Sequence, residues 1–339
     1  MKNIFKKLFI FIKEEYKFLL VLLLITIIAL YPVKYYIIVG GGIKDIGARV
    51  KVKDAYKEKG SFNISYVTEV NGTVVSYLLS YVIPSWTREK EDNYKYNDNE
   101  TVEEIEKRNL ISLDQSSNNA IYNAYTLANK EVVLKDTKYF ILTKFPQYDN
   151  PFIVGDELKE IDNVKIEKIE DIRETISKHK PNDIIDFKII RDKKEKILKV
   201  KVYQDKKTNT NVVGIIATTL NVYDANPKVN IKFAVNEAGP SGGLITALSI
   251  YNKLVKEDIT KGKTIAGTGT MEPNGKVGAI GGIKYKIIGA NKHADYFLVP
   301  AGKNYKEAKK IKKKEHLKIK LIPVKTLQDA INKLDKIKG

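Results

Sequence analysis

The sequence predicts an α/β (α+β) carboxyl-terminal domain, a smaller β-rich module ahead of it, and one apolar helix at the amino terminus. Three observations carry that prediction. From residue 209 onward, strand-like and helix-like stretches alternate; between 137 and 208, short stretches with strand periodicity crowd together; and residues 18–31 contain no charge. With 339 residues and a hydrophobic fraction of 43%, the chain is long and apolar enough to bury two cores.

The apolar segment Phe18–Tyr31 reads FLLVLLLITIIALY, and a second apolar patch, Tyr35–Val39, follows Lys34. Fourteen residues alone are short for a span, which needs about 20, so the reading is an anchor over 18–39 that uses both patches. Tyr16, Tyr31, Tyr35 and Tyr36 supply aromatics for its two boundaries, with Lys17 and Lys34 reaching toward headgroups. The arm 1–17 carries Lys2, Lys6, Lys7, Lys13 and Lys17, which the positive-inside bias keeps cytoplasmic. A single-pass protein of the cell membrane is expected, with everything after about residue 40 outside. A cleaved signal peptide is the competing reading, but no A-x-A-like site follows the run.

Beyond the anchor, SFNISYVTEV and TVVSYLLSYVI flank Asn71-Gly72 and predict a β-hairpin over 61–83. Residues 84–101 read as a long polar loop around Trp86, and 102–129 as a helix with Ser116, Ala120, Ala124 and Leu127 on one small-residue side. In the β-rich module, Lys138–Lys144 is a candidate strand and 169–179 a helix. The stretches 183–191 and 196–203 alternate like two paired strands. After 209 the expected order is strand 228–235, helix 243–254, strand 264–269, helix 287–293, strand 296–300, helix 305–313, strand 318–324 and helix 326–334. Thr326 and Asp329 are placed to cap the last helix.

Two segments carry chemistry. Asn236–Gly243, N-E-A-G-P-S-G-G, runs straight into an apolar helix. There Gly239 and Gly242 let a substrate backbone approach Ser241, and Pro240 stiffens the turn. The N–H groups at the start of the 243–254 helix would stabilise an oxyanion. Taken alone, Ser241 reads more readily as an ordinary N-cap than as a nucleophile. Gly275–Lys286, G-K-V-G-A-I-G-G-I-K-Y-K, offers a lysine among apolar groups, the setting a lysine general base requires.

Together, Gly-Pro-Ser-Gly-Gly, Ala-Gly-Thr-Gly-Thr at 266–270 and Gly-Lys-Val-Gly-Ala-Ile-Gly-Gly-Ile-x-x-Lys resemble, in order, the proteolytic domain of Lon-type serine peptidases. The resemblance implies Ser241 as nucleophile and Lys286 as general base, 45 residues apart, with Thr268 helping to hold the lysine. Lys286 rather than Lys284 matches because the family lysine is the third residue after the apolar one that follows Gly-Gly. The runs G-D-E-L-K-E-I-D at 155–162, I-E-D-I-R-E-T-I at 169–176 and D-F-K-I-I-R at 186–191 resemble a PDZ domain, which implies capture of an extended peptide by strand addition. L-D-Q-S-S-N-N-A-I-Y-N-A at 113–124 is similar to an early Lon helix, so residues 43–136 would complete a protease domain resumed at 209–339, with the PDZ-like module 137–208 inserted. The whole order resembles the bacterial membrane-anchored PDZ-containing Lon-like proteases. One departure is Ala238, where Lon proteins often carry an acidic residue; Glu237 stands beside it.

Other chemistries lose their residues. There are no cysteines, and His179, His293 and His316 lack a metal-binding spacing, so no cofactor or metal is expected. Gly269–Val277 has glycines like those of a phosphate loop, but the spacing is wrong and Val277 stands where Ser or Thr should follow the lysine. ATP-independent activity follows. The net charge of +18 rests on lysine, with only five arginines, which argues against nucleic-acid readout. The expected partners are peptide or protein substrates and membrane lipid, with room for a homo-oligomer. A membrane-tethered peptide-binding scaffold without catalysis is the rival reading.

Overall fold

The computed structural model describes residues 2–337, with side chains from residue 11; the charges of Lys2, Lys6 and Lys7 lie outside the described side chains. In chain order, α1 (Lys2–Leu30) leads to β1 (Pro32–Asp45), the short β2 (Val50–Val52), β3 (Ser61–Thr73), α2 (Val74–Val82) and β4 (Thr87–Lys90). The chain forms two compact units, Met1–Gly40 with Val67–Tyr94 and Gly41–Tyr66 with Lys95–Gly339.

In the smaller unit, two expectations give way. Pro32 ends α1, because proline excludes helical backbone at the residue before it. Residues 32–39 are strand, with Tyr35 to Ile38 pairing antiparallel with Lys90 to Thr87 of β4. The anchor read over 18–39 therefore stops at residue 30 as a helix. No helix among the described residues is long and apolar enough to cross a membrane. The uncharged part of α1, Phe18–Leu30, is about 20 Å long at 1.5 Å per residue, and Lys13, Glu14, Glu15 and Lys17 stand directly before it.

The hairpin is also absent. Asn71 and Gly72 continue β3, and a Cβ on Gly72 would lie 2.4 Å from the Tyr35 carbonyl oxygen, so the glycine serves strand approach rather than a turn. Thr73 then caps α2 through a capping box with Ser76: Ser76 N donates to Thr73 Oγ1 at 3.3 Å and Thr73 N to Ser76 Oγ at 2.8 Å. The 84–101 loop contains β4 and a 3₁₀ turn, Glu91–Tyr94.

In the larger unit, α3 (Val102–Leu127) starts at a Thr101–Glu104 capping box and buries Ser116, Ala120 and Ala124, as their spacing predicts. The β-rich module follows: β5 (Glu131–Lys144), β6 (Glu157–Ile161), β7 (Val164–Lys165), α4 (Ile169–Ser177), β8 (Ile184–Arg191) and β9 (Lys194–Lys201). Asp192 and Lys193, both with positive φ, make the tight turn between β8 and β9. Asp156 is fully buried and takes Arg191 in a two-point ion pair, Nε to Oδ1 and Nη2 to Oδ2 at 2.7 Å each. After β10 (Tyr203–Gln204) and β11 (Asn211–Val212) comes β12 (Ile215–Asn226), a strand the sequence reading left unassigned. It pairs antiparallel with β5 from Ile215 opposite Lys144 to Asn226 opposite Glu131. The sheet order is β12-β5-β6-β8-β9. β12 is thus an outer strand of this sheet, as β9 is on the other side.

The expected 228–235 strand shrinks to β13 (Val229–Ile231), paired with β2. Next come α5 (Gly243–Leu254), β14 (Thr264–Gly267), the small β15 (Thr270–Met271) and β16 (Val277–Gly278) pair, and α6 (Ile283–Ala290). Then β17 (Tyr296–Pro300), α7 (Lys303–Lys314), β18 (Lys320–Val324) and α8 (Leu327–Leu334) close the chain, with Thr326 Oγ1 accepting from Asp329 N. Strands β18, β17, β14 and the Ser61–Ile64 half of β3 lie parallel. Residues Gly243–Ile250 of α5 are all buried, which is why that helix reads apolar on every side.

Candidate active site

Ser241 lies in a 3₁₀ turn, Pro240–Gly242, that feeds α5. Gly239 enters the turn at φ 88°, and its N–H donates to the Asn109 carbonyl of α3. Behind the turn, Ser116 of α3 donates through Oγ to the Pro240 carbonyl at 2.9 Å and accepts from Met271 N at 3.1 Å. Gly243 is required by this approach, because a Cβ there would lie 2.1 Å from Ser116 Oγ. Gly242 is buried.

The Ser241 carbonyl oxygen has two donors, Gly269 N at 2.8 Å and Thr268 Oγ1 at 3.1 Å. Thr268 is fully buried just past the end of β14, its own N–H donating to Leu298 O of β17. Lys286 reaches the same point from α6. That helix begins at Ile283, four residues earlier than its sequence suggested, after Gly282 in the left-handed region at φ 68°. This phase puts Ile283, Lys286, Ile287 and Ala290 on one buried stripe and leaves Lys284 exposed. Lys286, 5% exposed, points Nζ to Ser241 Oγ at 2.9 Å and to Thr268 Oγ1 at 3.2 Å. The structure therefore brings Ser241, Thr268 and Lys286 together, with Gly239, Pro240 and Gly242 as the backbone of the serine's turn. The N–H groups at the start of α5 are partly committed: Gly243 N donates to Pro240 O and Leu244 N to Gly269 O.

Of three further supports, the sequence reading marks only Glu237, as the neighbour of Ala238. Asn119 and Asn123 of α3 donate to the carbonyls of Met271 and Glu272, continuing the row begun by Ser116. Their signal was polar residues at helical spacing within an otherwise small face. Asn304 brackets the turn before α6, accepting from Ile280 N at 3.0 Å and donating to Ile280 O at 2.8 Å; nothing in the sequence marked it. Glu237, next to Ala238, ties the loop before the serine down by pairing with Lys44 and Arg49 and accepting from Ala234 N. Burial pushes its carboxyl up, but Arg49, Lys44 and that N–H pull it further down, to about 2.

A buried lysine amine within hydrogen-bond reach of a serine hydroxyl, at the glycine-flanked start of a helix, is a constellation of serine peptidases. Comparison with known families agrees. Residues 194–335 match the Lon protease (S16) C-terminal proteolytic domain, and residues 128–202 match the PDZ domain. A Lon protease of Trichlorobacter lovleyi is 33% identical over 98 residues, 29% of this chain and 12% of its own length. One from Aster yellows witches'-broom phytoplasma is 31% identical over 102 residues, 30% of this chain and 12% of its own. The chain thus spans about an eighth of the length of these relatives. The PDZ domain of an SdrC-like protein from Listeria monocytogenes is 21% identical, covering 25% of this chain and 92% of that one, with a TM-score of 0.23. The chain thus carries a Lon-type (S16) serine-protease domain over 194–335 and a PDZ domain over 128–202. Strand β3 and helix α3, which precede the PDZ match, pack into the sheet and against α5 of the proteolytic domain.

Proposed function

We propose that the chain is an ATP-independent endopeptidase working through Ser241 and Lys286. The observation that carries this reading is the 2.9 Å contact between Lys286 Nζ and Ser241 Oγ, with the lysine buried. In the reaction, neutral Lys286 takes the hydroxyl proton as Oγ attacks the scissile carbonyl. The tetrahedral oxyanion meets the N–H groups of Ser241 and Gly242 at the turn. Lys286 then returns the proton to the leaving amine, and an acyl-enzyme on Ser241 remains. Water, deprotonated by Lys286 Nζ, attacks the acyl carbon, and the lysine returns that proton to Oγ as the carboxylic acid leaves. Thr268 acts by holding the lysine and the serine's carbonyl, without touching the reacting atoms.

In the same reading the PDZ module engages substrate in the groove of about 1130 Å³ between α4 and the 203–217 segment, floored by Ile172, Ile176, Val213 and Ile215. There the peptide would add as a strand along β12, the outer strand of the sheet, whose Ile215 and Ala217 line that groove. Attachment through α1 would set the catalytic domain on the outer face of the cell membrane. Protease shaving of intact cells should then remove the bulk after residue 40.

Cleavage of unfolded peptides, with and without ATP, tests the core of the proposal. Ser241→Ala and Lys286→Ala should each abolish turnover with folding intact, and a fluorophosphonate should label wild type but not Ser241→Ala. Unchanged turnover in either variant sinks the assignment, and a chain that never reacts with the probe is the scaffold instead.

A further inference from the structure

Helix α2 is built inside out. Its one buried residue is Ser80, whose hydroxyl donates to the Tyr77 carbonyl and accepts from Arg88 Nη1 at 3.1 Å. Val75, Leu78, Leu79, Tyr81 and Val82 face outward, with Leu78 59% and Val82 76% exposed. A surface helix in water turns its apolar stripe the other way, and a contiguous apolar face of this kind marks an interaction site.

The same compact unit holds α1, exposed or half-exposed at every position from Phe18 to Leu30. Val74 N donates to Tyr31 O at 3.0 Å, so α2 begins where the apolar run of α1 ends. We propose that α2 lies in the headgroup–acyl boundary of a bilayer into which the apolar run of α1 inserts. This rests on the membrane part of the reading above, not on the catalytic part.

Lipid is the occupant for three reasons. A helix that is apolar on all sides, as α1 is from 18 to 30, needs a medium around it, whereas a docked protein covers one face. The margin of α2 is an interfacial belt: Tyr77 lies between Tyr35 and Tyr81 at ring distances of 4.9 and 5.6 Å, and the Arg88 guanidinium stacks 3.6 Å over Tyr81. Length points the same way. The uncharged run of α1 covers only about two thirds of a ~30 Å hydrocarbon core, so a second apolar helix at its end supplies attachment that length does not.

Trp86, the only tryptophan, is half-buried four residues past α2 and reports on it directly. The full chain should be mixed with phosphatidylcholine–phosphatidylglycerol vesicles and followed by co-sedimentation and Trp86 emission, with brominated acyl chains as quencher. Co-sedimentation with a blue shift and quenching is expected. A Leu78→Asp/Leu79→Asp variant should lose the quenching and bind vesicles about 10- to 100-fold more weakly, while cleaving a soluble peptide as wild type does. Vesicle binding with Trp86 unchanged overturns the placement of α2. A concentration-dependent Trp86 shift without vesicles overturns it in favour of a second copy on this face. No vesicle binding overturns both this proposal and the membrane attachment, leaving Ser241-dependent cleavage as a separate result.

Discussion

Replacing Ser116 by alanine tests whether α3 positions the serine's turn. The hydroxyl makes two contacts, donating to Pro240 O at 2.9 Å and accepting from Met271 N at 3.1 Å, and Ser116 is 3% exposed. Without it, the N–H of the buried Met271 loses its acceptor, a loss of about 1–3 kcal/mol. Pro240 O keeps its bond from Gly243 N, so that side costs less. A destabilisation of about 2 kcal/mol is expected in urea unfolding. The Pro240 carbonyl belongs to the peptide plane that carries the Ser241 N–H, so loosening it should lower kcat about 10-fold with KM little changed. The pH profile should not move, because the contacts of Lys286 to Ser241 and Thr268 are untouched. A double-mutant cycle sharpens the test. Gly243→Ala alone places a Cβ 2.1 Å from Ser116 Oγ and 2.8 Å from Met271 N, an overpacking cost of about 1–3 kcal/mol. In the Ser116→Ala background the closer clash is gone, so the two changes should couple favourably by about 1 kcal/mol. Strict additivity, or a Ser116→Ala enzyme with full kcat and wild-type stability, would refute the argument that this contact orders the turn.

Other outcomes follow from the same geometry. Thr268→Val keeps the shape but removes the hydroxyl shared by Lys286 and the Ser241 carbonyl, while Gly269 N still holds that carbonyl. Peptide turnover should fall about 10- to 100-fold with stability down by about 1–2 kcal/mol, and wild-type kinetics would remove Thr268 from the machinery. Glu237→Gln should flatten the acid limb of stability. The folded carboxyl is held down at about 2, so its contribution is complete above the ordinary carboxylate range and is lost as pH falls from about 4.5 toward 2. With the group about a fifth exposed, roughly 2 kcal/mol is at stake, read by urea unfolding at pH 7 and pH 3; an unaltered pH dependence contradicts the clamp. Arg191→Met strands the fully buried Asp156 carboxylate, and the PDZ module should lose about 3–5 kcal/mol in hydrogen exchange, with a smaller change showing the pair to be dispensable. Gly72→Ala should cost about 1–3 kcal/mol through the Tyr35 carbonyl, where a hairpin turn at Asn71-Gly72 would have predicted a conformational penalty alone.

Elements whose ends carry their own chemistry were legible in the chain. Thr326 with Asp329 marks a helix start and the apolar run of 243–254 marks a buried helix, both through neighbours a few residues away. The pairing of Ser241 with Lys286 was legible for a different reason: the glycine-flanked motifs around both resemble, in order, those of the Lon proteolytic domain, and the resemblance implies the pair. Strand β12 escaped because its partner, β5, lies more than seventy residues earlier, and no local pattern names a distant edge. The Asn71-Gly72 reading failed because the Tyr35 backbone alongside, from another strand, gives that glycine its use.

By itself, then, the sequence determined which residue types could do chemistry: a glycine-flanked serine, a lysine among apolar neighbours, and no cysteine or metal-binding histidine pattern. Only the tertiary structure shows how Lys286 arrives, because the phase of α6 after Gly282 buries Lys286 and exposes Lys284. It also decided what holds the serine's turn in place. Ser116, Thr268 and Glu237 come from three separate stretches, and their meeting depends on sheet and helix packing that no single stretch of chain encodes.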